Sequence, residues 1–467
     1  MTAVAMTVGG EQVAVTSSFG VIDPATGEVF DRAPACEPDV LDAAFAAART
    51  AAGAWAADEE GRRAALHAAA DTVGGARDEL AVLLSTEQGK SVKAAAYEVD
   101  QHALWLRTAA DLSLAPQTLQ DDDRAAAELV RRPLGVVAAI TPWNYPVLLA
   151  GWKLGPALVA GNTVVLKPSP YTPLATLRIG ELLSNVLPAG VLNVVSGPDP
   201  LGSAMTRHPQ VDKITFTGSV ATGKAVAAAA ADDIKRVTLE LGGNDAAIVL
   251  EDADPAAIAR AIFWAAFTNC GQICAGIKRL FVPVALFGEM VDALAQLANR
   301  VRVGAASDER SQIGPVQNAM QFKRVSELVD EAVRQGAKPA AGAAPLGRAG
   351  YFYAPTILTD VTEGMRVVDE EQFGPVLPVL CYSSVDEAID RANATTYGLS
   401  GSVWSPDTDR AEAVARLLTC GTTFVNDHLT VGPHLPFGGW RHSGLGVENG
   451  PWGLEAFTQL QVVYRKR

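Results

Sequence analysis

One thiol, one carboxylate and one carboxamide stand in this chain in settings that could build a covalent site. Cys274 lies in the run Phe267-Thr268-Asn269-Cys270-Gly271-Gln272-Ile273-Cys274-Ala275-Gly276. Glu240 opens an upstream Glu-Leu-Gly-Gly stretch, Glu240 to Gly243, and Asn144 sits in Pro142-Trp143-Asn144-Tyr145-Pro146. A cysteine thiol can attack a carbonyl carbon, a carboxamide N–H can hold the oxyanion that results, and a carboxylate can activate water. Each residue also has an ordinary structural reading. A lone cysteine is commonly a small buried hydrophobe. A glutamate can simply end a strand before a Gly-Gly turn, and an asparagine between prolines suits a turn. Only the combination points to catalysis.

The elements that must carry these residues follow from hydrophobic spacing. The first third is alanine-rich, and Asp39 to Ala52, Glu59 to Gln88 and Lys93 to Leu114 show helical periodicity. A polar break at Gln120-Asp121-Asp122-Asp123 precedes two strand-like runs, Glu128 to Arg132 and Gly135 to Ile140. Strand and helix then alternate. Thr163 to Lys167, Val191 to Val195 and Lys213 to Thr217 are short β-branched runs, with helical segments near Leu148 to Ala160, Leu174 to Leu187 and Ser219 to Ala230. That alternation predicts parallel strands joined by crossover helices, a dinucleotide-type layout. A second alternating block begins near Thr238. Its strands are Ala246 to Leu250, Lys278 to Val282, Val376 to Cys381 and Thr422 to Asn426. Helices near Pro255 to Thr268, Ala285 to Arg300, Phe322 to Arg334 and Val385 to Asn393 separate them. The residues from Gln461 to Arg467 alternate like a terminal edge strand.

With 467 residues, 49% of them hydrophobic, the chain has length for two to three globular domains. A net charge of −14 argues against nucleic-acid and anionic-membrane partners, which select basic surfaces. The five cysteines, Cys36, Cys270, Cys274, Cys381 and Cys420, are odd in number and scattered, which fits a reducing, cytoplasmic setting. Cys270 and Cys274 lack a second pair or a nearby histidine, so no metal site is expected. Met1 to Val15 shows no basic segment leading into an apolar core, so no signal peptide is expected. The apolar stretch from Leu134 to Leu166 is interrupted by Pro142, Asn144, Pro146, Lys153 and Pro156, and reads as buried α/β core rather than a membrane span.

With Asn144, Glu240 and Cys274 in view, the chain resembles the aldehyde dehydrogenase superfamily from about Phe19 to the C-terminus. Further matching blocks are Leu166-Lys167-Pro168-Ser169, Phe216-Thr217-Gly218-Ser219, Glu370-Glu371-Gln372-Phe373-Gly374-Pro375 and Pro436-Phe437-Gly438-Gly439-Trp440. The resemblance implies an α/β fold in three parts. Residues 1–115 and 134–239 would form a dinucleotide-binding parallel-sheet domain, and 240–454 an α/β catalytic domain. Residues 116–133 and 455–467 would form a small oligomerisation β-element, in a homodimer or homotetramer. The reaction implied is oxidation of an aldehyde to its acid with NAD as hydride acceptor. Cys274 would be the nucleophile, partly exposed, with its thiolate favoured by nearby dipoles. Asn144 and the backbone N–H of Cys274 would hold the oxyanion. Glu240, poised nearer neutrality by partial burial, would deprotonate the hydrolytic water. Lys153 and Glu448 match positions around the proton path, the alternative being surface and helix-packing charges.

The cofactor residues implied are Lys167 on the adenosine ribose and Gly218 and Ser219 at a phosphate-binding helix start. Glu371 would hold the nicotinamide ribose, with Phe373 beside the nicotinamide. Ile140, Trp143, Gly197, Phe216, Gly223, Leu241 and Gln321 would complete the cleft. No G-x-G-x-x-G fingerprint follows a strand, which this family allows and an ordinary dinucleotide dehydrogenase does not. Many NAD-preferring members carry Glu three residues after the lysine; Pro170 stands here, which leaves room for NADP. The tail reads Trp440-Arg441-His442-Ser443-Gly444 where Tyr-Lys is commoner. Val447 replaces a frequent Arg beside Glu448, which puts subunit contacts of relatives in doubt. Tyr145, Leu149, Trp152, Thr268, Ile273, Val431 and Phe437 match aldehyde-tunnel positions, none with a full charge, so an uncharged aliphatic or aromatic aldehyde is expected. His428 and His434 lie in the loop before Pro436; either could touch substrate, the plainer reading being exposed loop histidines. Members that acylate coenzyme A typically lack the general-base glutamate, whereas a non-catalytic structural or binding homologue would have lost the Cys, Glu or Asn. All three residues are present.

Overall fold

The runs Val136–Ile140, Thr163–Lys167 and Lys213–Thr217 are buried along their whole length, as strands covered on both faces must be. A computed structural model describes residues 4–467, so residues 1–3 of the stretch read for a leader lie outside the described residues. The protein is α/β, built on two largely parallel sheets. The first has eight strands in the order Gly444–Leu445, Arg236–Glu240, Lys213–Thr217, Val136–Ile140, Thr163–Lys167, Leu192–Val194, Met6–Val8, Glu11–Val13. Its five inner strands are parallel, and the additions at either edge are antiparallel. The strand Gly444–Leu445 thus joins this sheet although it lies within 240–454.

The second sheet has seven strands, Lys338–Ala341, Thr356–Thr359, Val376–Tyr382, Ile277–Pro283, Asp245–Val249, Ser400–Trp404 and Thr422–Val425, all parallel but the first. Each sheet and its helices enclose a separate apolar core. A small third cluster, Trp105, Leu149, Trp152, Ala275, Leu399 and Phe437, has Cys274 and Tyr145 packed against it. Strand Thr458–Lys466 pairs antiparallel with Ala125–Pro133, which pairs with Gln117–Asp121. Leu460, Val462, Val463 and Tyr464 stand exposed on it. No helix among the described residues is long and apolar enough to cross a membrane.

Several elements differ from expectation. The segment Glu59 to Gln88 is two helices, Glu59–Gly75 and Arg77–Gln88, broken where Gly74-Gly75 remove helical preference. The hairpin Ser18–Asp23/Glu28–Pro34 and the strand Ser400–Trp404 were not expected. The latter reads Ser-Gly-Ser-Val-Trp, with too few branched residues to announce a strand, yet it is wholly buried. Gly401 packs closely there, since a Cβ would lie 3.0 Å from Leu418 Cδ1.

Candidate active site

Ile140, Lys167, Thr217 and Glu240 are the last residues of four neighbouring parallel strands. After Val136–Ile140 the chain builds the sheet outward on one side, through Thr163–Lys167. It then returns to the other side with Lys213–Thr217. The sheet therefore has its switch point between the ends of Val136–Ile140 and Lys213–Thr217. Crevices at such points, outside the carboxyl ends of the strands, bind ligands. The segment Thr141 to Tyr145 leaves this crevice and enters helix Pro146–Val159, with proline at the first turn where its missing N–H matters least. Tyr145, Leu149 and Trp152, at helical spacing, then face one cavity.

The Cys274 loop is shaped by backbone strain. Helix Pro255–Phe267 stops at Phe267, and Asn269 and Cys270 take left-handed φ of 52° and 60°. Cys270 turns into the core. Gly271 follows at φ 70°, and a Cβ there would fall 2.2 Å from the Gly374 carbonyl oxygen. The Gly-Gly after Glu240 has a matching reason. A Cβ on Gly243 would lie 2.4 Å from the Cys274 carbonyl oxygen, and one on Gly242 would lie 2.4 Å from Glu371 Oε2. These glycines let the Cys274 loop and the Glu371 segment close onto the Glu240 strand end.

Asn144 is buried, and its Nδ2 donates to the Gln272 carbonyl at 2.9 Å, two residues before Cys274. Asn144, Glu240 and Cys274 line the same cavity of about 240 Å³, with Glu448 and Thr217. Glu240 is buried, and neither carboxylate oxygen has a protein hydrogen-bond partner. Burial, then the neighbouring Glu448, raises its carboxyl well above the usual range, with Lys153 opposing. Lys153 Nζ meets Glu448 Oε1 at 2.6 Å, and Thr215 Oγ1 bonds both. With side chains 0% and 2% exposed, this pair is no surface feature, which excludes the surface alternative. Removing either partner would strand a buried charge, a loss of about 3–5 kcal/mol.

Cys274 is partly exposed, as expected, but its thiolate is not favoured. Burial first, then the carboxylates of Glu371, Glu240 and Asp245, push the thiol up to about 12, with Lys278 opposing. The residues that precede it form a short 3-10 turn, Thr268–Gly271, rather than an α-helix.

The cofactor candidates gather along the crevice. Ser219 Oγ accepts from Thr222 N at 3.2 Å and caps helix Val220–Ala231, so Gly218 and Ser219 do open a helix. Phe216 packs under Gly218, where a Cβ would meet its ring at 2.5 Å, and Leu241 fills the space beside Gly223. Gly197 lies between strand Leu192–Val194 and helix Asp199–Arg207, against Leu201. Trp143 and Phe373 meet edge to face at 5.2 Å beyond Ile140. Glu371 Oε1 accepts from Gly243 N at 3.0 Å, and burial raises its carboxyl, with Lys278 opposing. Lys167 is buried, which lowers its ammonium to about 8 against the pull of Asp199. Pro170, Tyr171, Pro198 and Asp199 share a neighbouring cleft. Gln321 Nε2 donates to the carbonyls of Gln372 and Phe373 at 2.8 and 2.9 Å, fixing the Glu371 loop. Thr141 Oγ1 and Thr217 Oγ1 are buried without protein partners at two strand ends. Bare glycine backbone at a capped helix start, unpartnered hydroxyls and a buried lysine suit a dinucleotide.

All seven tunnel candidates, Tyr145, Leu149, Trp152, Thr268, Ile273, Val431 and Phe437, line the cavity with Cys274. The sequence reading missed Tyr97, Gln101 and Trp105, as well as Leu148 and Leu429. The first three sit four apart on helix Val92–Asp111, and that spacing was the available signal. Trp105 and Trp152 stack at 5.5 Å, and Phe437 meets Trp152 edge-on at 5.4 Å. No Lys, Arg or His lines the cavity. His434 is exposed. His428 is not the exposed loop residue of the plainer reading: it is buried, and its Nε2 pairs with the Ala275 carbonyl at 2.8 Å. Burial holds the ring neutral, down to about 4.

A family model for the aldehyde dehydrogenase family matches residues 12–463. The chain is 38% identical to aldehyde dehydrogenase LUC3 of Fusarium sp, over 98% of this chain and 97% of that one. It is also 38% identical to the chloroplastic betaine aldehyde dehydrogenase of Beta vulgaris, over 95% and 92%. The structure of an aldehyde dehydrogenase from Bacillus cereus in complex with NAD+ superposes with a TM-score of 0.97 at 36% identity, covering 99% of this chain and 96% of that one. The chain belongs to the aldehyde dehydrogenase family. It is an NAD(P)-dependent oxidoreductase that converts an aldehyde to the acid.

Proposed function

We propose that Cys274, Asn144 and Glu240 carry the oxidation through a covalent cysteine intermediate. Cys274 Sγ gives its proton to water in the cavity and bonds the aldehyde carbon while the carbonyl π pair moves onto oxygen. Asn144 Nδ2–H and the Cys274 backbone N–H hold that oxyanion. When bound, the nicotinamide would supply a hydride acceptor, so that the former aldehyde carbon gives up its hydride, the oxyanion pair re-forms the carbonyl and a thioester on Cys274 remains. Glu240 then takes a proton from water as the water oxygen bonds the thioester carbon. The C–S bond breaks, the acid leaves and Cys274 is restored. Lys153 and Glu448 sit behind Glu240 and tune its proton affinity. The observation that carries this reading is Glu240 itself: a buried carboxylate with both oxygens unpartnered by protein, in the cavity of the thiol. The same observation favours water over coenzyme A as acyl acceptor. Glu240→Gln should slow turnover by about 10²-fold or more. Mass spectrometry after mixing with aldehyde and NAD should find an acyl adduct on Cys274, and near-normal turnover would remove Glu240 from the mechanism.

For substrate, the reading is an uncharged aliphatic or aromatic aldehyde. The aromatic walls offer no cation to anchor a carboxylate tail, and desolvating an unpaired ion costs several kcal/mol. A second reading rests on the same walls: Tyr97, Tyr145, Trp105, Trp152 and Phe437 present ring surface that attracts a quaternary ammonium. A relative is named betaine aldehyde dehydrogenase. Comparing kcat/KM for hexanal, benzaldehyde, succinate semialdehyde, 4-aminobutanal and betaine aldehyde separates the two. Betaine aldehyde winning by tenfold selects the second; succinate semialdehyde winning refutes both.

NAD is the reading for the preferred cofactor, with NADP tolerated because Pro170 cannot repel a 2′-phosphate. The exposed apolar strand Thr458–Lys466 suits a homodimer or homotetramer. Five free cysteines suit a cytoplasmic protein.

A further inference from the structure

We propose that Lys90 and Glu98 are positioning residues for Asn144, acting through its backbone and the helix that follows it. This rests on the reading of Asn144 as oxyanion donor. Helix Pro146–Val159 begins without a side-chain cap of its own, and Pro146 has no N–H. Its first free donors, Val147 N and Leu148 N, both reach Glu98 Oε1, at 2.9 and 3.1 Å. A carboxylate there matches the positive helix end. The other Glu98 oxygen binds Lys90 Nζ. Lys90 Nζ also donates to the Asn144 carbonyl at 2.9 Å and lies 3.8 Å from the Tyr145 ring centroid. The two side chains are 3% and 0% exposed.

Capping alone does not need the lysine. Glu87 accepts from Leu174 N and Ala175 N at the start of helix Leu174–Leu183 with no cation paired to it. Nor is a buried ion pair a stability device, since apolar side chains of similar volume do as well. What Lys90 adds is the bond to Asn144. The Asn144 carbonyl also accepts from Asn269 Nδ2 at 3.1 Å, while the Asn144 amide donates to the Gln272 carbonyl at 2.9 Å. The backbone carbonyl of Asn144 is thereby held by Lys90 and Asn269, and its side chain by the Gln272 carbonyl. The amide N–H that remains has little freedom to turn. The same helix carries Tyr145, Leu149, Trp152 and Lys153, so its seating sets one wall of the cavity as well.

The experiment compares Lys90→Met, Asn144→Ala and the double variant in the full-length enzyme. It follows NAD reduction per titrated active site and NAD binding by tryptophan fluorescence. Asn144→Ala should lower kcat by about 10²-fold. Lys90→Met should lower kcat by about tenfold or more, because small misplacements of catalytic groups are amplified, while NAD affinity stays within about twofold. If Lys90 acts through Asn144, the double variant should be within about twofold of Asn144→Ala. Native kcat in Lys90→Met, or losses that multiply in the double variant, overturns the proposal. Native turnover in Asn144→Ala would instead remove the oxyanion reading beneath it. Should Lys90→Met fail to fold, Lys90→Met/Glu98→Gln keeps the cap without burying a lone charge, and native kcat in that variant also overturns the proposal.

Discussion

Alkylation of Cys274 in the cofactor-free enzyme should accelerate with pH and show no plateau below about pH 10. The perturbation is the environment of the sulfur. Its thiol is pushed from 9.0 to about 12 by burial and by the carboxylates of Glu371, Glu240 and Asp245. At pH 7.5 an unperturbed thiol of that starting value is ionised in about one molecule in 30, against about one in 30,000 at the raised value. Only the thiolate attacks iodoacetamide, so the rate should rise about tenfold for each pH step of one across pH 7 to 10. Exposed Cys381 will also react, so the rate must be read peptide by peptide. Glu371→Gln removes the carboxylate that acts most strongly on the sulfur, and it should raise the Cys274 rate at pH 8. A Cys274 profile that levels near pH 8 or 9, with no response to Glu371→Gln, would refute the argument that burial and negative neighbours control this thiol.

Cys274→Ala should abolish aldehyde oxidation while NAD still binds, and Cys270→Ala should keep most activity because Cys270 faces the core; the reverse pattern would reassign the nucleophile. Pro170→Glu should raise the ratio of NAD to NADP kcat/KM, since a carboxylate there repels the 2′-phosphate; an unchanged ratio acquits Pro170. Burial raises Glu87 from 4.5 to about 8, so the folded chain keeps a proton that the unfolded chain releases. That contribution is fully present below the unfolded value and lost as pH rises through the folded one. The urea midpoint should therefore fall across this window, and Glu87→Gln should flatten the fall. Light scattering should give at least twice the 48.8 kDa chain mass, and a monomer at micromolar concentration would refute the reading of strand Thr458–Lys466 as a subunit contact.

What could be read from the chain follows the range of the interactions. The strands Thr163–Lys167 and Lys213–Thr217 announced themselves because a doubly covered strand writes its burial into consecutive β-branched residues. Ser400–Trp404 did not, because its place in the second sheet depends on small residues fitting against Leu418 and Ala246. The break after Gly75 was legible in principle, since two adjacent glycines weaken any helix, but the periodicity of Glu59 to Gln88 carries across it. Asn144, Glu240 and Cys274 were found because each sits in a glycine- or proline-marked motif. The wall formed by Tyr97, Gln101 and Trp105 was missed because residues four apart on a helix share a face whether that face meets a core or a cavity.

Electrostatics was the least legible layer, because burial and charges distant in sequence act together on Cys274. Residues near Cys274 in sequence carry no charge until Lys278, so a local reading finds nothing to oppose ionisation. In the fold, Glu240 arrives from the first sheet, Asp245 from the second and Glu371 from the loop that Gln321 fixes, and all three oppose it. Burial acts in the same direction on Glu240, which also keeps its proton well above the usual carboxylate range. Burial therefore favours the neutral form of both groups, and under the proposed mechanism each must be ionised in its own step. The Glu240 carboxylate is among the charges that oppose ionisation of Cys274, so in the proposed mechanism the thiol ionises first and Glu240 in the later half-reaction.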